Sequence, residues 1–305
     1  MKPIVISDRD KSLISAFVDY RILNTEQVFR LFFPSVGRAR KRLRQLWQHG
    51  YLKRIVRPTR MGEGSSMFLY LPSRRGPRII FANGTDRKIR MRSSFHMDHA
   101  LAINTFRICL ELATRKSKNL SLDSWKEGRK IGMTATVKDK EGIKKVLIIP
   151  DAYFVLKHEG RTFHYFLEID CGTTDLKRII LKCRGYLDLW QEKTAHAKFG
   201  MSSFRVLHVT TTDQRLQNMI EQLRKLQSYH DRLDLLLTTS QDLYSLSQPK
   251  RVFDPIWKIL DSAGNIRGTG LLPVTSFQSS RQREENHHCA VQNPIPVNGI
   301  PGPGG

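Results

Sequence analysis

The sequence predicts an α+β chain in two units: a small helical unit closed by a β-hairpin, then a larger α/β unit. Three observations predict it. Three segments of helical period and then two strand-like runs fill residues 8–71, and the order helix, three strands, helix, strand fills residues 95–210. The third is a cationic excess concentrated in the first unit. A chain of 305 residues has room for such a pair, at roughly 150 residues per domain. Its 40% hydrophobic and 26% charged residues exclude a collagen, a coiled coil and wholesale disorder.

Ser7 or Asp8 caps a first helix that carries Leu13, Ile14, Phe17 and Val18 at helical spacing. Asn24-Thr25 opens a second with Val28, Phe29, Leu31 and Phe32, which Pro34 and Ser35 end. A third runs from about Val36 to His49 and stops at Gly50. At about 100° per residue its Ala39, Leu43, Leu46 and Trp47 share one side. Arg38, Lys41, Arg44, Gln45 and Gln48 are left on the other. Arginine and glutamine make bidentate contacts to guanine and adenine edges, so this outward face suits a major groove. Beyond Gly50, residues 51–71 read as two strands joined by a loop holding Gly62 and Gly64, with Arg57 and Arg60 near the tip.

Lysine and arginine number 51 against 28 acidic residues, a net +23, which calls for a polyanionic partner, double-stranded DNA ahead of a membrane. Residues 1–93 carry +15, residues 94–214 +6 and residues 215–305 +2. Within residues 36–60 there are nine cations and no acid: Arg38, Arg40, Lys41, Arg42, Arg44, Lys53, Arg54, Arg57 and Arg60. A solvated helix face is the bland alternative. No apolar run is long enough for a membrane span, and the N-terminus turns acidic before a signal-peptide core forms, so a cytoplasmic protein with no membrane partner is expected. Cys109, Cys171, Cys183 and Cys289 show no CxxC spacing and are read as reduced thiols.

Three helices and a basic hairpin resemble the winged helix-turn-helix, and LWQHGYLKR at 46–54 is similar to that fold's passage from recognition helix to wing strand. The resemblance implies a DNA-binding domain over residues 1–93. Its contacts would be Arg38, Arg40, Lys41, Arg42, Arg44, Gln45, Gln48, Arg57 and Arg60. A winged helix used for protein contact is the alternative.

In the second unit a helix runs from Phe95 to about Arg115, followed by strands at Leu120–Trp125, Lys145–Leu156 and Thr162–Ile169. Thr174 or Asp175 opens another helix, Phe204–Thr210 is a fourth strand, and further helices follow from Asp213 to Tyr229. This order, with Pro150-Asp151 on the second strand and Glu168-Ile-Asp170 ending the third, resembles the PD-(D/E)XK nuclease-like core. Two paired strands can bring Asp151 and Glu168 to one end, where they, with Asp170, would hold Mg²⁺ or Mn²⁺ for phosphodiester hydrolysis. Position 170 departs from the pattern, having aspartate where the motif has lysine, so Lys182, or failing it Lys177, must supply the ammonium.

With HALAINTF at 99–106, PDAYF at 150–154, FLEIDCGTT at 166–174 and KCRGY at 182–186, residues 10–230 resemble the replication-relaxation family, which shares the E-x-D. That resemblance implies a part in replication, relaxation or mobilisation of plasmids or other mobile elements, beside other replication or mobilisation proteins. Two readings stay open: a metal-dependent nicking enzyme using Asp151, Glu168, Asp170 and Lys182, or a non-catalytic replication accessory or transcription regulator on a degenerate nuclease scaffold. A toxin or phage-defence nuclease is a remoter third.

His96 and His99 lack a third ligand and are read as packing or capping residues rather than zinc ligands. Asn104 and Glu111 face either a cleft or solvent, Lys182 and Tyr186 share a helix face open to phosphate or to solvent, and Gly172 permits a sharp turn. The nuclease-like unit is drawn as residues 94–272, its end a short apolar element with a hairpin around residues 262–265. Residues 273–305, with His287, His288 and Cys289, read as a disordered Pro/Gly-rich tail.

Overall fold

Local signals at residues 7–57 fix the first unit. A computed structural model describes residues 3–57, 67–81, 94–115, 117–139, 142–225, 234–243, 245–261 and 263–272. Helix α1 (Asp8–Tyr20) starts from a capping box in which Ser7 and Asp10 satisfy each other's backbone N–H. Strand β1 (Leu23–Asn24) leads into α2 (Thr25–Phe32), capped reciprocally by Asn24 and Gln27. Ser35 caps α3 (Val36–Gln48), and Gly50, at φ +75°, turns the chain into β2 (Leu52–Arg57). Strand β3 (Met67–Pro72) pairs antiparallel with both others in the order β1-β3-β2. The loop with Arg60, Gly62 and Gly64 lies outside the described residues. Leu13, Ile14, Phe17, Val28, Ala39, Leu43 and Leu46 fill the core.

Helix α4 (Ser94–Thr114) then opens a seven-stranded sheet unit. In chain order follow β4 (Leu120–Lys126), β5 (Met133–Asp139), β6 (Gly142–Ile148), β7 (Ala152–His158), β8 (Arg161–Ile169), α5 (Leu176–Gln191), α6 (Thr194–Phe199) and β9 (Arg205–Thr210). The unit closes with α7 (Asp213–Arg224), β10 (Leu235–Thr239), α8 (Ser240–Leu243), β11 (Trp257–Leu260) and β12 (Ile266–Thr269). The sheet order is β12-β11-β10-β9-β8-β7-β4, with β8–β9 and β9–β10 parallel and the other pairs antiparallel.

Two expectations need correction. The strand placed at 145–156 is two: β6 leaves the sheet to pair with β5, and Pro150, with no N–H for a ladder, separates it from β7. Asp151 therefore stands just before a strand rather than on one. The last long helix stops at Arg224, and Tyr229 lies outside the described residues, as does 273–305. The hairpin expected around residues 262–265 is present as β11–β12, turning at Gly264 (φ +80°) and forming the sheet's edge.

Alternation along the strands gives the sheet two apolar faces. Phe154, Leu156, Tyr165 and Leu167 meet Phe106 and Leu110 of α4, whereas Tyr153, Val155 and Phe166 meet α5 and α7. Helix α4 also turns Ile108 into the N-terminal core and packs Leu101 on Ile22, Leu69 and Leu71. One helix thus belongs to both cores. Gln27 Nε2 donates to Leu101 O (3.1 Å) and Thr105 Oγ1 (2.9 Å), and Asn104 Nδ2 to Tyr20 O (3.0 Å) and Ile22 O (2.6 Å). Asn104 is accordingly buried between the units, neither in a cleft nor in solvent. No helix of the described residues is long and apolar enough to cross a membrane.

Candidate functional site

On α3 the core positions fix which cations face water. Arg38, Arg40, Lys41, Arg44 and Gln48 are exposed. Arg42 and Gln45 are not part of that free face. The Arg42 guanidinium forks onto both oxygens of fully buried Asp10, with Nε at 2.8 Å from Oδ1, and also donates to Val5 O (2.7 Å) and Gln45 Oε1 (3.0 Å). Burial alone would raise the Asp10 pKa, but the hydrogen bonds from Arg42 and Ser7 outweigh it and leave the group below its ordinary value. This pair fastens α3 to α1. On the hairpin, Arg54 lies 3.4 Å over the Trp47 ring and 4.5 Å over Phe68. Arg57 Nη2 reaches Asp98 Oδ2 of α4 at 2.9 Å. Arg60 lies outside the described residues.

The three candidate carboxylates gather at one end of β7 and β8, each with basic company. Asp151 is positioned by its own N–H on Leu167 O (2.9 Å), and its Oδ2 accepts from Ile169 N (2.7 Å). His99 Nε2 sits 3.2 Å from that same Oδ2 and 3.1 Å from Ile169 O, so one N–H faces two hard oxygens. Burial works against a charged His99, but the hydrogen bond and charge of Asp151 prevail and raise its pKa. Glu168 is buried and accepts from the Lys182 ammonium and the Tyr186 hydroxyl, while Lys182 also donates to Ile149 O (2.8 Å). Desolvation lifts Glu168 to about 7 in spite of the Lys182 charge. Lys182 itself stays above its ordinary value because the Glu168 and Asp151 charges outweigh its burial. Asp170 is held by Arg215 through both oxygens, by Thr210 Oγ1 (2.8 Å) and by Gly172 N (3.0 Å). Gly172, at φ +83°, makes the turn expected of it.

Asp151, Glu168 and Lys182 are thus brought together as the sequence suggested. Asp170 is bound up with Arg215 instead. His99 and Arg215 were missed: their partners lie 52 and 45 residues away, and neither carries a local signal of such pairing. Lys182 and Tyr186, four apart on α5, both point inward at Glu168 rather than to solvent.

A hard cation such as Mg²⁺ requires about six oxygens. Here Glu168 is engaged by Lys182 and Tyr186, Asp170 by Arg215, and the point shared by Asp151 and Ile169 O holds the His99 nitrogen. Among the described residues no three His, Cys, Asp or Glu side chains form a group able to hold a metal ion. The Mg²⁺ or Mn²⁺ expected at Asp151, Glu168 and Asp170 does not fit this arrangement, in which side-chain cations do the neutralising.

Fold and site together define a mixed α+β protein whose basic three-helix unit shares one helix with a sheet unit that encloses a neutralised carboxylate cluster. Residues 16–203, more than half of the chain, match the replication-relaxation family, and the chain belongs to it. Membership supports a role in the replication or relaxation of plasmids and other mobile elements. No curated protein and no solved structure matches the chain.

Proposed function

We propose that this replication-relaxation protein grips duplex DNA of a plasmid or other mobile element in the cytoplasm, with α1–α3 and the β1-β3-β2 sheet acting as a winged helix. The observation that carries the reading is the exposed face of α3, where Arg38, Arg40, Lys41, Arg44 and Gln48 stand clear of the packed side. In this reading α3 enters the major groove and the β2–β3 hairpin lies against the backbone. The second unit serves as a nuclease-like scaffold: α4, β4, β7, β8, α5 and β9 follow the order helix, three strands, helix, strand of the PD-(D/E)XK core. Replication or mobilisation proteins are its expected partners.

A second reading, metal-dependent nicking, draws on Asp151 and Glu168 lying at the same end of the paired strands β7 and β8. It requires His99 and Lys182 to yield their places on the carboxylates. Supercoiled plasmid incubated with the protein, with and without Mg²⁺ or Mn²⁺, tests both readings. The first predicts a retarded but intact plasmid, equally for wild type, Asp151→Asn and Glu168→Gln. Metal-dependent nicks that vanish in both variants would establish the second.

A further inference from the structure

We infer that the β5–β6 ribbon is a second nucleic-acid contact, which takes the backbone and groove wall of a duplex segment other than the one held by α3. It rests on the α3 reading only for the identity of the first segment. The ribbon is a two-stranded sheet of its own. Its inner residues Met133, Ala135, Val137 and Ile148 join the core on α5. Gly185 permits that approach, since a Cβ there would lie 2.6 Å from Ile148 Cδ1.

With the inner face committed, the register sets the outer one as three cross-strand pairs: Thr134 with Leu147, Thr136 with Lys145, and Lys138 with Ile143. Both lysines are exposed, and Ile143 and Leu147 are 67% and 63% exposed. A single exposed aliphatic residue is ordinary. Two of them alternating with a lysine along β6, on a face where none of the six positions is acidic, make an apolar and cationic patch. Ammonium groups neutralise phosphates, apolar side chains meet thymine methyls, and a two-stranded ribbon is narrow enough to enter a major groove. Two copies placed face to face would bring four ammonium groups together, and that like-charge repulsion disfavours a homodimer here.

The ribbon packs on α5, on the side of the seven-stranded sheet away from α4 and the N-terminal unit. Two segments are therefore addressed from opposite faces, and the predicted activity is bridging of DNA. The test attaches a short duplex to beads, adds the full-length protein, and measures capture of a second, dye-labelled duplex. Wild type, Lys138→Glu/Lys145→Glu, Ile143→Ser/Leu147→Ser and Lys41→Ala/Arg44→Ala are compared. Because the ribbon positions are exposed, melting temperature and light-scattering mass are expected to match wild type.

The expected result is capture by wild type, reduced about tenfold or more in both ribbon variants, while affinity for a single duplex at physiological salt changes by no more than about twofold. Undiminished capture by the ribbon variants, or none by wild type, overturns the inference and leaves the α3 reading intact. Wild-type binding to phosphatidylglycerol vesicles that the ribbon variants lose, with capture unchanged, overturns it in favour of a membrane. If the ribbon variants lose single-duplex affinity and Lys41→Ala/Arg44→Ala does not, the ribbon contact stands and the α3 reading fails.

Discussion

Glu168 and His208 sit on neighbouring strands at paired positions and respond to pH in opposite senses. Desolvation raises Glu168 to about 7, whereas burial, aided by the Lys182 charge, lowers His208 to about 3. Between the unfolded values of about 4.5 and 6.5, the folded protein holds a proton on Glu168 that the unfolded chain releases, so this group's contribution is lost as pH rises. In the same window the unfolded chain protonates its histidine while folded His208 stays neutral, so that contribution is lost as pH falls. The two nearly cancel in the wild type. Single substitutions are predicted to unmask them: Glu168→Gln loses stability as pH falls below about 6.5, and His208→Gln gains it over the same interval, each by up to about 1.4 kcal/mol per pH unit. Urea midpoints at several pH values read this directly, and parallel profiles for the two variants would refute the assignment of their protons.

At the scale of elements, the β5–β6 ribbon depends on α5 having no side chain at position 185. Gly185→Val is predicted to cost about 1–3 kcal/mol by overpacking against Ile148 and Ala135. Truncating the opposing residue should relieve part of that cost. The double variant Gly185→Val/Ile148→Ala is expected to fall short of the summed single effects by about 1 kcal/mol in urea unfolding; strict additivity would place the two residues apart. This ribbon is also where the sequence was least legible. Helices α1–α3 announced themselves through Ser7, Asn24, Ser35 and Gly50, signals local to the chain. The run VLIIPDAYF reads as one apolar strand because periodicity does not register that β6 pairs with β5 and β7 with β8. Pro150 was the available sign of the break. Strand β10, Leu235–Thr239, is buried throughout and so lacks the alternation that marks a half-exposed strand. Carboxylate positions were legible from the motif; their cations, His99 and Arg215, were not, since chain folding alone brings them there.

For the whole molecule, α4 makes the two units mechanically continuous. Its consecutive residues Asp98 and His99 hold Arg57 of the hairpin and Asp151 of the carboxylate cluster, and Asn104 closes the junction on Tyr20 and Ile22. In the proposed reading, a duplex on α3 would rest on a platform supported by the large sheet. The charge distribution agrees with that arrangement, with +15 of the net +23 in the first 93 residues. In the proposed reading the exposed cations of α3 neutralise phosphates. Its most direct test is the salt dependence of duplex affinity for the wild type beside Lys41→Ala/Arg44→Ala. Weaker binding is expected, with a log–log salt slope shallower by about two, close to one per lost phosphate contact. Unchanged affinity and slope in the double variant would contradict it.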